Sequence, residues 1–184
     1  MRIIAGEFRS RQLVTPSGPE TRPTMDRARE SLFNVLSNLL NFEGIFVLDL
    51  YAGSGALAFE ALSRGAAKAT LVDQSPNATR AIHVNAAALI VERRIVVLRQ
   101  DVRRFLETSP TPFDLILMDP PYEAHETASI ATLLFERDWV SSNGFCVIEH
   151  RSDTELPPIP GTHIRRELNV GEARFTILTH ATPS

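Results

Sequence analysis

The sequence predicts an α/β fold, a largely parallel sheet covered by helices on both faces, preceded by a small N-terminal β-hairpin and helix extension. Three observations carry this expectation. Beyond Gly44, short continuous apolar runs at residues 45–50, 70–72, 95–98, 115–118 and 145–148 alternate with stretches of helical spacing. Strands buried on both faces between crossover helices have this pattern. The first run leads through Tyr51-Ala52-Gly53-Ser54-Gly55 directly into a helical stretch, and the two final runs, around 163–168 and 173–179, flank Gly171-Glu172 as an antiparallel hairpin closing a sheet edge.

Taken in order, residues 2–15 alternate loosely around Gly6, and Pro16-Ser17-Gly18-Pro19 marks a loop. Residues 1–23 therefore read as a basic arm with four of the six arginines that fall in residues 1–30. From Thr24, taken as the N-cap, Ala28, Leu32, Val35, Leu36 and Leu39 fall at helical spacing, so residues 24–42 form a lead-in helix. Helices are expected near 56–63, 76–90, 102–107 and 127–136. With no internal repeat or low-complexity segment, residues 1–184 read as one domain. A chain of that length buries about 70% of its unfolded surface.

Composition narrows the function classes. Hydrophobic residues make up 43% and charged residues 22%, which is ordinary for a globular chain. No apolar run approaches the roughly 20 residues of a membrane span, and the opening residues are too short a run for a signal peptide. A cytoplasmic protein without a membrane partner is expected. Cys146 is the only cysteine, which excludes an internal disulfide or thiolate cluster and gives it a small buried apolar role. The five histidines, at 83, 125, 150, 163 and 180, lack metal-ligand spacing, so no metal is expected. His125 reads as a solvated loop residue and Asn85 as a buried amide bonded to backbone. The net charge of -3 argues against holding nucleic acid by electrostatics alone. Residues 1–30, however, carry +2 against -5 for the remainder, which makes Arg2, Arg9, Arg11, Arg22 and Arg27 the candidate RNA-facing residues.

The chemistry concentrates at strand ends, where open α/β sheets bind ligands. Asp49 lies within the first run, one residue before its end, and Ala52, Gly53, Ser54 and Gly55 form a turn in which glycines permit positive φ and close approach of a ligand. Asp73 and Gln74 follow the second run and Asp101 and Val102 the third. An acid at the second strand end suits the ribose hydroxyls of an adenosine, although Asp101 also fits a plain helix N-terminus. Gly53-x-Gly55-x-x-Ala58 satisfies a dinucleotide fingerprint as well, which keeps a nicotinamide cofactor open.

The fourth run ends in Asp119-Pro120-Pro121-Tyr122. Two prolines fix φ and remove two donors, leaving a rigid turn whose carbonyls are acceptors. Asp119 and the Pro120 carbonyl can each accept a hydrogen bond from an exocyclic NH2, turning its delocalised lone pair toward an electrophilic methyl, while the Tyr122 ring stacks on the base. This points to S-adenosylmethionine as the donor and a base amine as the acceptor.

The sequence also resembles the bacterial 16S ribosomal RNA guanine-N2 methyltransferases of the RsmD type. The resemblance runs through Met1-Arg2-Ile3-Ile4-Ala5-Gly6 with Phe8-Arg9, Arg22-Pro23-Thr24 with Asp26-Arg27 and Arg29-Glu30, and Phe33-Asn34. It continues through residues 49–57, Glu60-Ala61, Ser63-Arg64-Gly65-Ala66 and Asp119-Pro120-Pro121-Tyr122. It implies a class I methyltransferase fold with a seven-stranded, Rossmann-like sheet. The implied activity is methylation of the guanine at position 966 of 16S rRNA during small-subunit assembly, with no obligate protein partner. It assigns cofactor contact to residues 53–55, Asp73 and Asp101, places Thr24 near the methionine end, and turns the basic arm toward RNA. Tyr51 stands where the family commonly has Phe, and residues 170–174 lack an aromatic before Gly171. Three other readings compete. A DNA adenine-N6 methyltransferase shares the Asp119 chemistry but generally needs a recognition domain for which 184 residues leave no room. An NAD-dependent oxidoreductase leaves Asp119-Pro120-Pro121-Tyr122 idle, and a non-catalytic RNA-binding module leaves all the strand-end residues idle.

Overall fold

The computed structural model describes residues 1–16, 23–121 and 123–181. Its strands are β1 (Phe46–Leu50), β2 (Lys68–Val72), β3 (Ile95–Leu98), β4 (Phe113–Met118), β5 (Val140–Arg151), β6 (Thr162–Val170) and β7 (Ala173–His180). They form one seven-stranded sheet in the order β3-β2-β1-β4-β5-β7-β6. The first five strands are parallel, and β7 lies antiparallel to both β5 and β6. The expected closing hairpin is present, with β7 inserted next to β5 and β6 at the edge.

Alternation of side chains across each strand divides the apolar residues between two layers. Val47, Leu115, Leu117, Val147 and Ile177 face one core with α1 (Pro23–Leu36), α2 (Ala56–Ser63) and α3 (Pro76–Leu89). Leu48, Leu50, Ile116, Met118, Cys146 and Ile148 face the other with α4 (Val102–Leu106) and α5 (Ala124–Glu136). Cys146 is fully buried there, and burial pushes its thiol up to about 12, which fits the apolar role. No helix among the described residues is long and apolar enough to cross a membrane.

Three element boundaries depart clearly from the sequence expectation, the first being the end of the lead-in helix: α1 stops at Leu36 and not at residue 42, and residues 37–39 leave it as turns. Helix α1 begins at Pro23, one residue before the expected cap, because a proline at the first helical position gives up an N–H that has no helical partner anyway. Thr24 therefore lies inside the first turn and does not cap it. Strand β5 begins at Val140, although Ser141-Ser142-Asn143-Gly144 has loop composition. A register shift between Phe113 and Leu115 absorbs this irregular stretch, and a Cβ at Gly144 would come within 2.9 Å of the Phe113 carbonyl oxygen.

The arm is built into the fold. Arg2 and Gln12 form an antiparallel bridge, Ile3 N donates to Arg11 O at 3.0 Å, and Leu13 N donates to Met1 O at 2.9 Å. Ile3, Phe8 and Leu13 are buried. The fully buried carboxylate of Glu60 accepts from Ile4 N at 2.7 Å and Ala5 N at 3.1 Å and pairs with Arg64 at 2.9 Å. At the far end Asn85 Oδ1 accepts from Val14 N at 2.7 Å, and its Nδ2 donates to Val14 O and to Ser54 O at 2.9 and 3.0 Å. This is the backbone-bonded buried amide expected for Asn85, and it ties the arm to the glycine turn.

Candidate active site

Because β1, β2, β4 and β5 are parallel, the first polar residues after their apolar runs gather along one edge of the sheet. The register Leu50↔Val72, Leu50↔Met118 and Met118↔Ile148 places Asp73, Tyr51, Asp119 and Glu149 in a single row. Asp49 stands one residue deeper on β1, 2% exposed, and accepts from Ala58 N at 3.1 Å.

The turn after β1 is shaped by three left-handed residues, Tyr51 (φ 60), Gly53 (φ 55) and Gly55 (φ 78). For Tyr51 this conformation costs about 1 kcal/mol, and neighbouring bonds hold it. Gly53 N donates to Asp73 Oδ2 at 2.9 Å, Gly55 N donates to Ala52 O at 2.7 Å, and Ser75 N donates to Asp73 Oδ1 at 2.8 Å. The two glycines serve different ends. A Cβ on Gly53 would meet nothing nearer than Tyr51 O at 3.9 Å, so it borders open space, whereas one on Gly55 would collide with the Phe59 ring at 2.7 Å and Leu71 at 2.9 Å. Core packing by itself accounts for a glycine at 55, so that motif position does not by itself require a ligand.

The open space beside Gly53 is a cavity of about 460 Å³ whose wall includes Arg29, Asp49, Ala52, Ser54, Asp119 and Glu149. A second cavity of about 430 Å³ lies beyond it, bounded by Asp119, Pro120, Pro121, Thr127 and Glu149. Asp119, Glu149, Glu172 and Ala173 belong to both walls, so the two spaces are lobes of one cleft with a shared carboxylate partition.

Electrostatics sharpen the picture. Asp119 faces the open cleft, yet the protein behind and beside it removes enough water to push its carboxyl up to about 6. Glu149 is pushed up to about 8, chiefly by desolvation and then by Asp119, with Arg29 opposing. Asp49 is held well above the usual carboxylate range by burial; the Ala58 N–H works against this, and Asp119 and Asp73 add to it. A lobe lined by these acids suits a cationic ligand such as a sulfonium bearing an amino group. It disfavours a dinucleotide pyrophosphate, and the N–H groups of Gly53 and Gly55 that would cradle one are already bonded within the protein. The nicotinamide reading loses its support on both counts.

The structure separates the remaining candidates. Asp73 and Gln74 follow β2, and Asp101 and Val102 follow β3, so they continue the row past the glycine turn without lining either lobe. Asp101 caps α4 by accepting from Arg104 N at 3.2 Å, and Val102 is buried beneath it. Arg9 and Arg27 are exposed beside a depression that also holds Arg2, Asp26 and Glu30. Arg2 sits 3.7 Å from Asp26, and Arg11 donates to Ala88 O at 2.5 Å, so both are partly committed within the fold. Arg22, Tyr122 and the side chain of Thr24 lie outside the described residues. Among the described residues no group of His, Cys, Asp and Glu could hold a metal.

Sequence reasoning missed Glu149 and Arg29. Glu149 follows Ile148 as Asp119 follows Met118 and Asp73 follows Val72, and that shared position was the available signal. Arg29 is one of the six arginines of residues 1–30, yet it is 4% exposed and lies on the cleft wall. It donates to Asp26 Oδ1 at 2.9 Å and to Arg2 O, while its buried Nε has no hydrogen-bond partner among the described residues.

The family model described as conserved hypothetical protein 95 matches residues 1–179. Ribosomal RNA small subunit methyltransferase D of Escherichia coli (strain K12) is 34% identical over 178 residues, covering 96% of this chain and 88% of that protein. The solved structure of the Escherichia coli protein yhhF superposes with a TM-score of 0.87 at 30% identity, covering 100% and 99% of the two chains. At 14% identity, magnesium protoporphyrin IX methyltransferase from Synechocystis PCC 6803, solved with bound SAM, shares the fold with a TM-score of 0.70 over 90% and 88%.

Proposed function

The chain belongs to the conserved hypothetical protein 95 family, and on that premise we propose that it transfers methyl from S-adenosylmethionine to the N2 amine of a guanine in ribosomal RNA. Transfer of methyl to rRNA is the activity for which its small-subunit methyltransferase D relative is named. The finer reading places the target at position 966 of 16S rRNA, within the assembling small subunit in the cytoplasm.

One observation supports this reading above the others: Asp119 stands on the wall common to both lobes. The donor fits the lobe beside Gly53, where Asp49 complements its cationic methionine end and Arg29 its carboxylate. Its adenosine would extend along the row toward Asp73 and Asp101, with Ala52, Ser54, Gln74 and Val102 alongside and Thr24 near the methionine end. S-adenosylmethionine supplies a methyl carbon bonded to a positively charged sulfur. The base would enter the second lobe, where the Asp119 carboxylate and Pro120 carbonyl accept the two amine hydrogens, Pro121 stiffens the turn and Tyr122 stacks.

Holding the amine in this way directs its lone pair at the methyl carbon. The new N–C bond forms as the C–S bond breaks, and the electron pair of that bond remains on sulfur. Asp119 then faces a secondary ammonium whose proton is acidic enough to leave to the carboxylate or to water. Alignment and electrostatic complementarity to that developing charge supply the acceleration.

The direct test is tritiated methyl transfer to isolated small subunits, free rRNA and DNA in parallel, followed by nucleoside analysis. N2-methylguanosine in rRNA is the expected product. N6-methyladenosine, or label in DNA alone, would overturn the reading.

A further inference from the structure

We propose that Glu149 is the base-reading residue that selects guanine, accepting the hydrogen on ring nitrogen N1 while Asp119 holds the adjacent N2 amine; this rests on the base-methylating reading of the second lobe. The geometry comes from sheet register. Met118 and Ile148 are paired across β4 and β5, so the residues that follow them are neighbours on parallel strands spaced about 4.8 Å apart. Both carboxylates line both lobes. Whatever amine Asp119 holds thus has a second carboxylate beside it.

Guanine presents two hydrogens pointing the same way from adjacent atoms, one on N1 and one on N2. Two neighbouring carboxylates can accept one each, since an ionised carboxylate only accepts. Adenine and 2-aminopurine carry a lone pair at N1, which would oppose the Glu149 oxygen. An unpaired polar contact of that kind lowers reactivity about tenfold or more.

Other charges tune this contact from each neighbouring element. Asp119 on the β4 side favours a proton on Glu149 and Arg29 from α1 favours its loss, while Glu172 of the β6–β7 turn lines the same two lobes. Phe175 of β7 pairs with Glu149 in register and adds no charge. Without ligand Glu149 is pushed up to about 8, so it accepts most strongly above that pH, or when a cationic donor occupies the neighbouring lobe.

The test uses small-subunit rRNA in which splinted ligation places guanine or 2-aminopurine at the nucleotide methylated by the wild-type protein. Both RNAs retain the 2-amino group, and only N1 and position 6 differ. Above pH 8, wild-type kcat/KM should favour guanine by about tenfold or more. Glu149→Gln, whose amide can either accept from N1–H or donate to a bare N1, should bring the ratio close to one. The ratio is measured within one preparation, so the fraction folded cancels. If turnover falls below detection, the same ratio can be read as competitive binding with S-adenosylhomocysteine present. A ratio that Glu149→Gln leaves unchanged, with both rates falling together, would overturn the proposal while leaving guanine methylation intact. Absence of N2-methylguanosine from wild-type reactions would instead overturn the underlying reading.

Discussion

Asp73 Oδ2 accepts a hydrogen bond from Gly53 N at 2.9 Å, so the acid at the end of β2 fixes the shape of the glycine turn at the end of β1. Its other oxygen accepts from Ser75 N at 2.8 Å at the start of α3. Asp73→Ala releases both backbone donors, and each unmade bond costs about 1 kcal/mol or more. The expected result is a moderate drop in melting temperature with S-adenosylmethionine affinity reduced about tenfold or more by calorimetry. Unchanged affinity would dissociate the turn from the donor site.

The two turn glycines should fail in different ways. Gly55→Val forces a side chain into Phe59 and Leu71 at positive φ, with an expected stability loss of about 2–4 kcal/mol in urea unfolding. Gly53→Val points into the cavity and meets no packed side chain, so its cost is backbone strain of about 1–3 kcal/mol alone. It should remain folded and lose donor binding. The reverse pattern would place the donor elsewhere.

The carboxylate pair gives stability a definite dependence on pH. Asp119 rises from 3.8 to about 6 and Glu149 from 4.5 to about 8. Between those limits the folded protein retains protons that the unfolded chain has released, so these groups lose their stabilising effect as pH rises through the window. Thermal melts without ligand should show stability falling from about pH 4.5 to about 8, with a shallower slope in Glu149→Gln. Methyl transfer requires ionised Asp119 and should rise through about 6. An upward stability slope would reverse the assigned sign.

The N-terminal arm supports the fold as well as carrying charge. Deleting residues 1–15 removes buried Ile3, Phe8 and Leu13 and strips Glu60 of two backbone partners. Loss of cooperative unfolding is the expected outcome, so the deletion cannot isolate RNA binding. Replacing exposed Arg9 and Arg27 with alanine should instead weaken RNA binding and flatten its salt slope by about 1.4, two single-strand phosphate contacts. An unaltered slope would exclude this face.

Most of the sheet was legible because the buried strands are short apolar runs that give way to a polar residue, as Leu115-Ile116-Leu117-Met118 does to Asp119. The start of β5 was not, since Val140 pairs with Phe113 ahead of an irregular stretch, Ser141 to Gly144, whose loop composition hides the strand. At the site, Asp119 and Gly53 were legible from the company they keep in the chain. Glu149 becomes significant only once register sets it beside Asp119, and buried Arg29 and Glu60 only once the arm folds over them. Gly55 shows the converse: its motif suggests a ligand, and the packing of Phe59 and Leu71 explains it.

The most direct measurement separates the two lobes. Asp119→Ala, titrated with S-adenosylmethionine by calorimetry and assayed for transfer to small subunits, should bind the donor within a few-fold of wild type. Turnover should fall about 100-fold or more. Transfer that persists in this variant, or donor binding that disappears along with it, would contradict the placement of the base amine at Asp119.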